Sequence, residues 1–290
     1  MHRAPCDYTV ADFDYVEHQD GPQRLRLFMP VGTGPSPVVV DIHGGAWCKQ
    51  DLKDCEPRDL TLVRSGIAVA AVNFRHAGSG YPASLEDINY AIRWLKAHAG
   101  QFGLRADAVG LCGQSSGGHL AMLSAMRPAD PRYIAVALPN LGALPGGAAA
   151  DASVKAVAML WPVINPLSRY RNVVRLRDAG NPPAWVGDLP DRHDLYWKTE
   201  AAMAEGNPML ILERGENAVL PPALWVQGRP DPVHDYRDPE ARFDGNEPER
   251  FAHTYRQAGG SLDLLYIDNA ARETGASHDP VAAFFLRHLT

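Results

Sequence analysis

Ser115 lies in a local pattern that could make its hydroxyl a nucleophile. Gly113 and Gly117 flank it in a G-x-S-x-G arrangement, after an apolar stretch and before a segment with helical spacing. Such a strand–turn–helix context strains the serine backbone, pushes its hydroxyl outward and excludes bulky flanking side chains. A phosphate-binding loop is the alternative, but the chain has neither G-K-[ST] nor G-x-G-x-x-G. The pattern therefore predicts Ser115 as the nucleophile of an acyl transfer.

A second glycine-rich stretch could stabilise the charge that this chemistry creates. Residues 43–47, His-Gly-Gly-Ala-Trp, follow directly on a short β-branched run. Acyl transfer produces an oxyanion, which needs main-chain N–H groups already directed at it, and glycines let the main chain approach that closely. We expect the N–H groups of Gly45, Ala46 and Ser116 to form the oxyanion hole. Gly44 would shape the loop.

Three stretches of the chain resemble a known enzyme family. Residues 43–47 are similar to the HGG-x-W or HGGG motif of hormone-sensitive-lipase-like esterases, feruloyl-esterase-like proteins and kynurenine formamidases. Residues 73–87 resemble the N-Y-R and P-A-x-x-x-D stretch of that family, and residues 113–121 resemble its serine elbow. The resemblance covers residues 38–126 well. It implies an α/β-hydrolase fold with a Ser–His–Asp triad.

The departures from the family pattern concern substrate choice. Gln114 replaces the usual acidic residue or histidine of the elbow, and Ser116 replaces the usual alanine. Ala46 and Trp47 are closer to the feruloyl-esterase and formamidase side of the family than to the HGGG lipases. Nothing in residues 161–222 resembles the family, so the resemblance implies no particular substrate.

Asp231 is the candidate acid of the triad. In this fold the chain order is serine, then acid, then histidine. Asp231 comes after a predicted strand that ends at Gly228, in a turn that resembles the acid turn of the family. Asp235 and Asp238 lie in the same charged loop and are the alternatives, although acids in such loops are mostly solvated.

His278 is the candidate base. The histidines that follow Asp231 are His234, His253, His278 and His288. His253 falls within a predicted helix and His288 at the end of another. His278 follows the last predicted strand, just before the last helix, where the base must reach over the sheet edge. We therefore expect Asp231 to orient His278, and His278 to take the Ser115 proton.

No cofactor or metal is expected from the sequence motifs. The spacings H-x-x-x-H, C-x-x-C and H-E-x-x-H are all absent from the chain. His43 precedes the nucleophile in the chain, and we interpret it as a residue that braces the oxyanion loop. The four cysteines are expected to be reduced thiols, with a Cys48–Cys55 bridge as the alternative.

The elements that must position these residues alternate between strand-like and helix-like segments. This alternation predicts one α/β domain over residues 1–290, with a mostly parallel sheet flanked by helices. The expected strands are residues 9–15, 24–29, 38–42, 67–73, 108–112, 154–160, 223–227 and 262–267, the first two antiparallel. The expected helices are residues 85–98 (capped by Ser84), a helix from the serine turn to about Met126, and residues 194–205, 248–258 and 280–289.

Two segments interrupt that alternation. Residues 142–152 are rich in glycine and alanine and are predicted to form a flexible surface loop. Residues 161–222 are predicted to be an insertion lying over the carboxyl ends of the strands, where open α/β sheets bind ligands. This insertion is a lid candidate.

The candidate pocket residues are less specific than the triad. Aromatic residues and the residue before the nucleophile could line a substrate pocket, although buried aromatics are as often core: Trp47, Gln114, Trp161, Trp185 and Trp197. An arginine cluster could hold a carboxylate-bearing substrate, but a solvated helix face is the favoured interpretation: Arg169, Arg171, Arg175 and Arg177.

Composition limits the classes of function. The chain has 290 residues, a net charge of −6 and no run of lysine or arginine, which argues against nucleic-acid binding. No apolar stretch is long enough to span a bilayer, and the start has no apolar signal segment, so a cytoplasmic location is expected. We expect hydrolysis of a small carboxylic ester, for which an aromatic group is one option, through an acyl-enzyme. The alternative functions are an amidase or arylformamidase and a non-catalytic binding protein of the same fold. A homodimer is one option for the assembly of the chain.

Overall fold

Runs of valine, alanine and leucine form the strands of one sheet. The computed structural model describes residues 5–32, 34–139 and 150–290, so most of the loop predicted at residues 142–152 lies outside the described residues. The strands are β1 (Tyr8–His18), β2 (Gly21–Pro30), β3 (Ser36–Ile42), β4 (Ala68–Val72), β5 (Leu104–Gln114), β6 (Ala156–Leu160), β7 (Ala223–Arg229) and β8 (Leu262–Asp268).

The strand order places the candidate site at a topological switch point. The order is β1-β2-β4-β3-β5-β6-β7-β8. β2 is antiparallel to both β1 and β4, and the pairs from β4 to β8 are parallel. The predicted antiparallel pair and the mostly parallel sheet are both confirmed. β3 and β5 are neighbours whose connections leave in opposite directions, which opens a crevice at their carboxyl ends.

Helices cover both faces of this sheet. They are α1 (Glu56–Arg64), α2 (Ala83–Ala97), α3 (Ala99–Phe102), α4 (Ser116–Met126), α5 (Pro166–Asp178), α6 (Leu189–Trp197), α7 (Glu200–Glu205), α8 (Pro208–Glu213), α9 (Glu247–Gln257) and α10 (Gly275–Leu289). Buried side chains of α1 and α10 pack on one face, and those of α2, α4 and α9 pack on the other. No helix in the described ranges is long and apolar enough to cross a membrane.

Three helix boundaries differ from the sequence predictions. Ser84 is not a cap: it lies inside α2 and its hydroxyl donates to the carbonyl of Arg75 at 2.6 Å. The helix expected over residues 194–205 is two helices, because Lys198 adopts a positive φ of 63° and Thr199 caps a new helix. The last helix begins at residue 275 rather than at Pro280, because Thr274 caps it there.

The segment between β6 and β7, residues 161–222, contains the four helices α5 to α8. It contacts the loop that follows β3, where the ring of Tyr196 stacks on Trp47 with centroids 5.4 Å apart. This contact brings the segment to the carboxyl edge of the sheet.

A fully buried ion pair supports the sheet beneath the candidate site. Arg58 of α1 donates two hydrogen bonds to Asp41 of β3 at 2.8 and 2.5 Å, and a third to Gln114 of β5 at 3.0 Å. Burial alone would lower the pKa of Arg58, but the Asp41 carboxylate outweighs burial and raises it well above its ordinary value. The pair therefore connects α1, β3 and β5 just below their carboxyl ends.

We predict that Asp41→Asn lowers the free energy of unfolding by about 3–5 kcal/mol, because it leaves a buried guanidinium without its counter-charge. Urea unfolding measures this loss. The control is Asp107→Asn, which removes the exposed partner of Arg105 and should cost less than about 1 kcal/mol. Equal losses in the free energy of unfolding would show that the buried pair stabilises the protein no more than the exposed pair does.

Candidate active site

The turn around Ser115 has the strained geometry that the sequence pattern predicts. Ser115 has φ 52° and ψ −120°, between the end of β5 and the start of α4. A Cβ on Gly113 would lie 2.3 Å from the carbonyl oxygen of Gly117, and one on Gly117 would lie 2.1 Å from that of Ile42. Only glycine fits at either position, because real Cβ atoms do not make such contacts.

The hydroxyl of Ser115 is hydrogen-bonded to a histidine, and that histidine to an aspartate. Ser115 Oγ lies 3.0 Å from His234 Nε2. His234 Nδ1 lies 2.8 Å from Asp231 Oδ2. His234 is 7 % exposed and Asp231 4 % exposed, so the pair is shielded from water. The carboxylate can only accept, so Nδ1 carries the proton and Nε2 is the acceptor for the serine hydroxyl.

A short turn after β7 holds both Asp231 and His234. The N–H of Asp235 donates to the carbonyl of Asp231 at 2.8 Å, which closes the turn. The Asp231 carboxylate also accepts from the N–H of Val233 at 3.1 Å and from Gln227 Nε2 at 3.2 Å. These bonds fix the carboxylate on the side of the turn where the imidazole lies.

The surroundings of this turn favour an ionised aspartate through nearby donors and positive charge, and a neutral histidine through burial. Burial alone would raise the pKa of Asp231, but His234 and Arg272 outweigh burial and hold that pKa well below its ordinary value. Burial lowers the pKa of His234 below 6.5, against the opposing attraction of Asp231. At neutral pH the imidazole is therefore able to accept a proton.

His278 does not occupy the position predicted for the base. Because α10 begins at residue 275, His278 lies in the first turn of the last helix and not in the loop before it. It is 2 % exposed, and its Nε2 lies 3.5 Å from Glu273 Oε2. The loop after β8 instead brings Arg272 to the triad, with Nη1 3.5 Å from Asp231 Oδ2. The structure thus places His234, and not the predicted His278, beside Ser115.

The alternative acids, Asp235 and Asp238, are hydrogen-bonded to other side chains and not to the histidine beside Ser115. Asp235 accepts hydrogen bonds from Arg229 at 2.5 Å and from Asn246 at 2.8 Å. Asp238 accepts from Arg250 at 3.1 Å. Within the described ranges Asp231 is the carboxylate that contacts the imidazole beside Ser115.

The loop after β3 passes directly over the nucleophile. A Cβ on Gly44 would lie 3.4 Å from Ser115 Cβ, and Gly45 and Ala46 have positive φ of 91° and 51°. In the described ranges, no hydrogen-bond acceptor faces the main-chain N–H of Gly45, Ala46 or Ser116. Free N–H groups beside a nucleophile are what an oxyanion hole requires.

Two side chains fix this loop. Ser116 Oγ accepts a hydrogen bond from the main-chain N–H of Trp47 at 3.1 Å, which ties the loop to the first residue of α4. His43 stacks on Phe74 with ring centroids 4.4 Å apart, and its Nδ1 lies 3.1 Å from the carbonyl oxygen of Gly44. Burial lowers the pKa of His43 to about 4. His43 is thus a neutral, packed residue of the loop and has no contact with Ser115 Oγ.

Two of the candidate pocket tryptophans are packed side chains. Trp47 is fully buried, and its indole N–H donates to His119 Nδ1 at 3.3 Å. Trp197 is 1 % exposed and meets Trp47 edge to face, with centroids 5.4 Å apart.

The other pocket candidates lie in three different surroundings. Gln114 faces the buried Arg58, as described above. Trp161 is 2 % exposed and lies under Arg272, whose Cζ is 4.0 Å from the ring centroid. Trp185 is half-buried. The structure does not bring these side chains together as one aromatic pocket.

The described part of the chain has no group of three or more histidine, cysteine or acidic side chains placed to hold a metal ion. The cysteines are all free thiols, so no bridge joins Cys48 and Cys55. Cys48 Sγ instead donates to the carbonyl of Arg192 at 3.6 Å.

The position of His234 between Asp231 and Ser115 was missed, although the sequence contains a signal for it. His234 follows Asp231 by three residues, and Pro230 and Pro232 favour a turn between them. The first and fourth residues of a turn approach within about 7 Å, so their side chains can meet. The expectation of a base beyond the last strand overrode this local signal.

The chain is similar in sequence to a known family and to several esterases. The family model described as BD-FAE matches residues 25–238. The chain is 30 % identical over 237 residues to the probable carboxylic ester hydrolase LipM of Mycobacterium tuberculosis, covering 77 % of this chain and 50 % of that protein. It is 31 % identical over 153 residues to esterase LipC of the same organism, covering 50 % of this chain and 35 % of that protein. The chain spans about half the length of the curated relatives it matches.

Solved structures show the same fold. An esterase from the archaeon Pyrobaculum calidifontis superposes with a TM-score of 0.70 at 20 % identity, covering 99 % of this chain and 88 % of that one. The carboxylesterase EstE1, cloned from a metagenomic library, gives 0.69 at 21 % identity, covering 100 % and 92 %. The predicted α/β-hydrolase fold is confirmed.

We predict that Ser116→Ala lowers the free energy of unfolding by about 1–3 kcal/mol, because the buried N–H of Trp47 loses its acceptor. The matched control is Ser124→Ala in the same helix. Ser124 is buried and its hydroxyl has no partner in the described ranges, so its removal should be neutral or stabilising. Urea unfolding of both variants tests the difference. Equal losses in the free energy of unfolding would show that the hydrogen bond from Trp47 to Ser116 does not stabilise the loop.

Proposed function

Since this chain belongs to the BD-FAE family of α/β-hydrolases, we propose that it is a serine hydrolase of carboxylic esters that acts through an acyl-enzyme. One observation carries the proposal. Ser115 Oγ, the imidazole of His234 and the carboxylate of Asp231 form a continuous chain of hydrogen bonds of 3.0 and 2.8 Å. This is the constellation that activates a serine for attack on a carbonyl group.

Acylation begins with the transfer of a proton within that chain. As Ser115 Oγ attacks the ester carbonyl, its proton passes to His234 Nε2. The negative charge of Asp231, which the burial of the pair leaves unscreened, stabilises the imidazolium that forms. The carbonyl oxygen becomes an oxyanion and accepts hydrogen bonds from the free N–H groups of Gly45, Ala46 and Ser116.

His234 then acts as an acid towards the leaving group and as a base towards water. The tetrahedral intermediate collapses and the ester C–O bond breaks, while His234 returns the proton to the leaving alkoxide. A water molecule then attacks the acyl group on Ser115, and its proton passes to His234. Collapse of this second intermediate releases the carboxylic acid and restores the serine hydroxyl.

Arg272 has a supporting role in this scheme. Its guanidinium lies over the ring of Trp161 and 3.5 Å from Asp231 Oδ2. A positive charge at that distance keeps the carboxylate ionised, in line with the lowered pKa of Asp231. Arg272 acts through Asp231, and it is a positioning residue.

We predict that His234→Gln lowers kcat for an activated aryl ester by about 10⁴-fold or more, because among the described residues no other base is hydrogen-bonded to Ser115 Oγ. His278→Gln is the matched control: it removes an equally buried imidazole that makes no contact with Ser115, and kcat should change by less than about threefold. Steady-state kinetics of both variants, with circular dichroism to verify folding, provide the measurement. A severe loss of kcat in His278→Gln, together with near-normal kcat in His234→Gln, would show that His278 is the base.

We predict a second result from the pKa of His234. Only the neutral imidazole can accept a proton, so kcat/KM should fall as the pH drops through the pKa of His234 in the free enzyme. Burial lowers that pKa, so the acidic limb should have its midpoint below pH 6.5. A pH profile of kcat/KM measures it. A midpoint clearly above 6.5 would contradict the assignment of the base.

A further inference from the structure

One arginine of α5 is unlike its neighbours on that helix. Arg171, Arg175 and Arg177 are exposed, as a solvated helix face requires. Arg169 is 2 % exposed and lies against the loop over the nucleophile, with its Cζ 5.3 Å from the ring centroid of Trp47. The favoured interpretation of the arginine cluster therefore holds for three of its members and fails for Arg169.

Neutral groups hold the Arg169 side chain in place. Its Nε donates to His193 Nε2 at 3.3 Å. His193 can accept there because its Nδ1 donates to the carbonyl of Leu189 at 2.8 Å, and because burial lowers its pKa well below the ordinary value. In the described ranges no carboxylate lies within 4.0 Å of this guanidinium, and its Nη2 has no hydrogen-bond partner.

The other buried arginines are fully accommodated. Arg58 and Arg250 are both paired with carboxylates. Arg93 donates to the side-chain oxygen of Asn89 and to the carbonyl of Val136. A buried guanidinium with a free N–H group costs several kcal/mol unless something compensates it. In the described part of the chain Arg192 Nε also lacks a partner, but Arg192 is paired with Asp188, whereas Arg169 has no carboxylate partner.

Arg169 lies close to His234, the histidine that is hydrogen-bonded to Ser115. Arg169 and His234 line one small cavity, together with Val163, Tyr236 and Glu247. The cavity measures about 10 Å³, which is room for about one water molecule.

The charge of Arg169 acts on the imidazole in the opposite sense to the charge of Asp231. Burial lowers the pKa of His234 first, and the guanidinium of Arg169 lowers it further. A positive charge of this kind disfavours the imidazolium that acylation must form. A negative charge on the substrate, bound to Arg169, would cancel that penalty at the moment of reaction.

We propose that Arg169 binds a free carboxylate of the substrate, so that the enzyme prefers esters that carry an anionic group close to the scissile bond. This inference rests on the proposed ester hydrolysis and adds a substrate class to it. A guanidinium–carboxylate contact is a charge-assisted hydrogen bond, and a neutral ester of the same shape cannot form it.

Glu247 is the acidic group that faces the same cavity. Its Oε1 accepts from Arg250 Nη1 at 2.8 Å, and its Oε2 has no partner in the described ranges. Burial raises the pKa of Glu247 to about 7. In its protonated form Oε2 donates, so Glu247 would share a carboxylate with Arg169 instead of repelling it.

The test compares matched anionic and neutral esters. The acyl-side set is the monoethyl esters of succinate, glutarate and adipate, each against the ethyl keto-ester in which a methyl ketone replaces the carboxylate. The alcohol-side pair is acetoxyacetate against acetoxyacetone. Hydrolysis is followed in a pH-stat with the full chain. The wild type should hydrolyse the anionic member of at least one pair with kcat/KM about 10-fold or more above its neutral partner.

Variants assign that preference to Arg169. Arg169→Met should abolish it by lowering kcat/KM for the anionic ester alone, and Arg169→Lys should keep part of it. Arg175→Met, an exposed arginine of the same helix, should leave it unchanged. If Arg169→Met does not fold, Arg169→Gln takes its place.

Two outcomes separate this inference from the proposed function. Ser115-dependent hydrolysis in which no pair differs by more than twofold, or in which Arg169→Met keeps the preference, would overturn the inference and leave ester hydrolysis intact. Hydrolysis that persists in Ser115→Ala would instead contradict the proposed function, and the inference would fall with it.

Discussion

The site depends on one close approach between two backbone segments. Gly117, at the start of the helix after the nucleophile, touches the carbonyl groups of Ile42 and His43 so closely that no Cβ would fit. This contact locks the serine turn against the loop after β3, whose N–H groups are the proposed oxyanion donors. The parallel neighbours β3 and β5 bring the two segments to the same sheet edge, and the buried Arg58–Asp41 pair fixes both strands from below. The strained Ser115 conformation is a consequence of this packing.

Charge is distributed unevenly around that framework. Asp231 is stabilised as an anion by Arg272 and by main-chain and side-chain donors, whereas His234 is held neutral by burial. An ionised acid next to a neutral base is the resting state that proton transfer from Ser115 requires. Arg169 adds a buried positive charge with a free N–H group to the same region.

The parts of the fold and site that local steric contacts determine could be predicted from the sequence. The positions of the sheet strands follow from their β-branched and apolar runs, and Gly113 and Gly117 mark the elbow because only glycine avoids the clash there. The histidine was a different case. His278 was favoured by chain order, but the position of a base depends on where the last helix begins, and Thr274 caps it earlier than Pro280 suggested. Tertiary packing also decided the burial of Trp47, which residue type alone could not predict.

The structure of a covalent adduct with an alkyl phosphonate tests the central claim most directly. The account predicts a bond from phosphorus to Ser115 Oγ and a phosphoryl oxygen about 2.7–3.1 Å from the N–H groups of Gly45, Ala46 and Ser116. The His234 imidazole should remain beside Ser115 and bonded to Asp231. An adduct on another residue, or an adduct on Ser115 with a different imidazole beside it, would contradict the account.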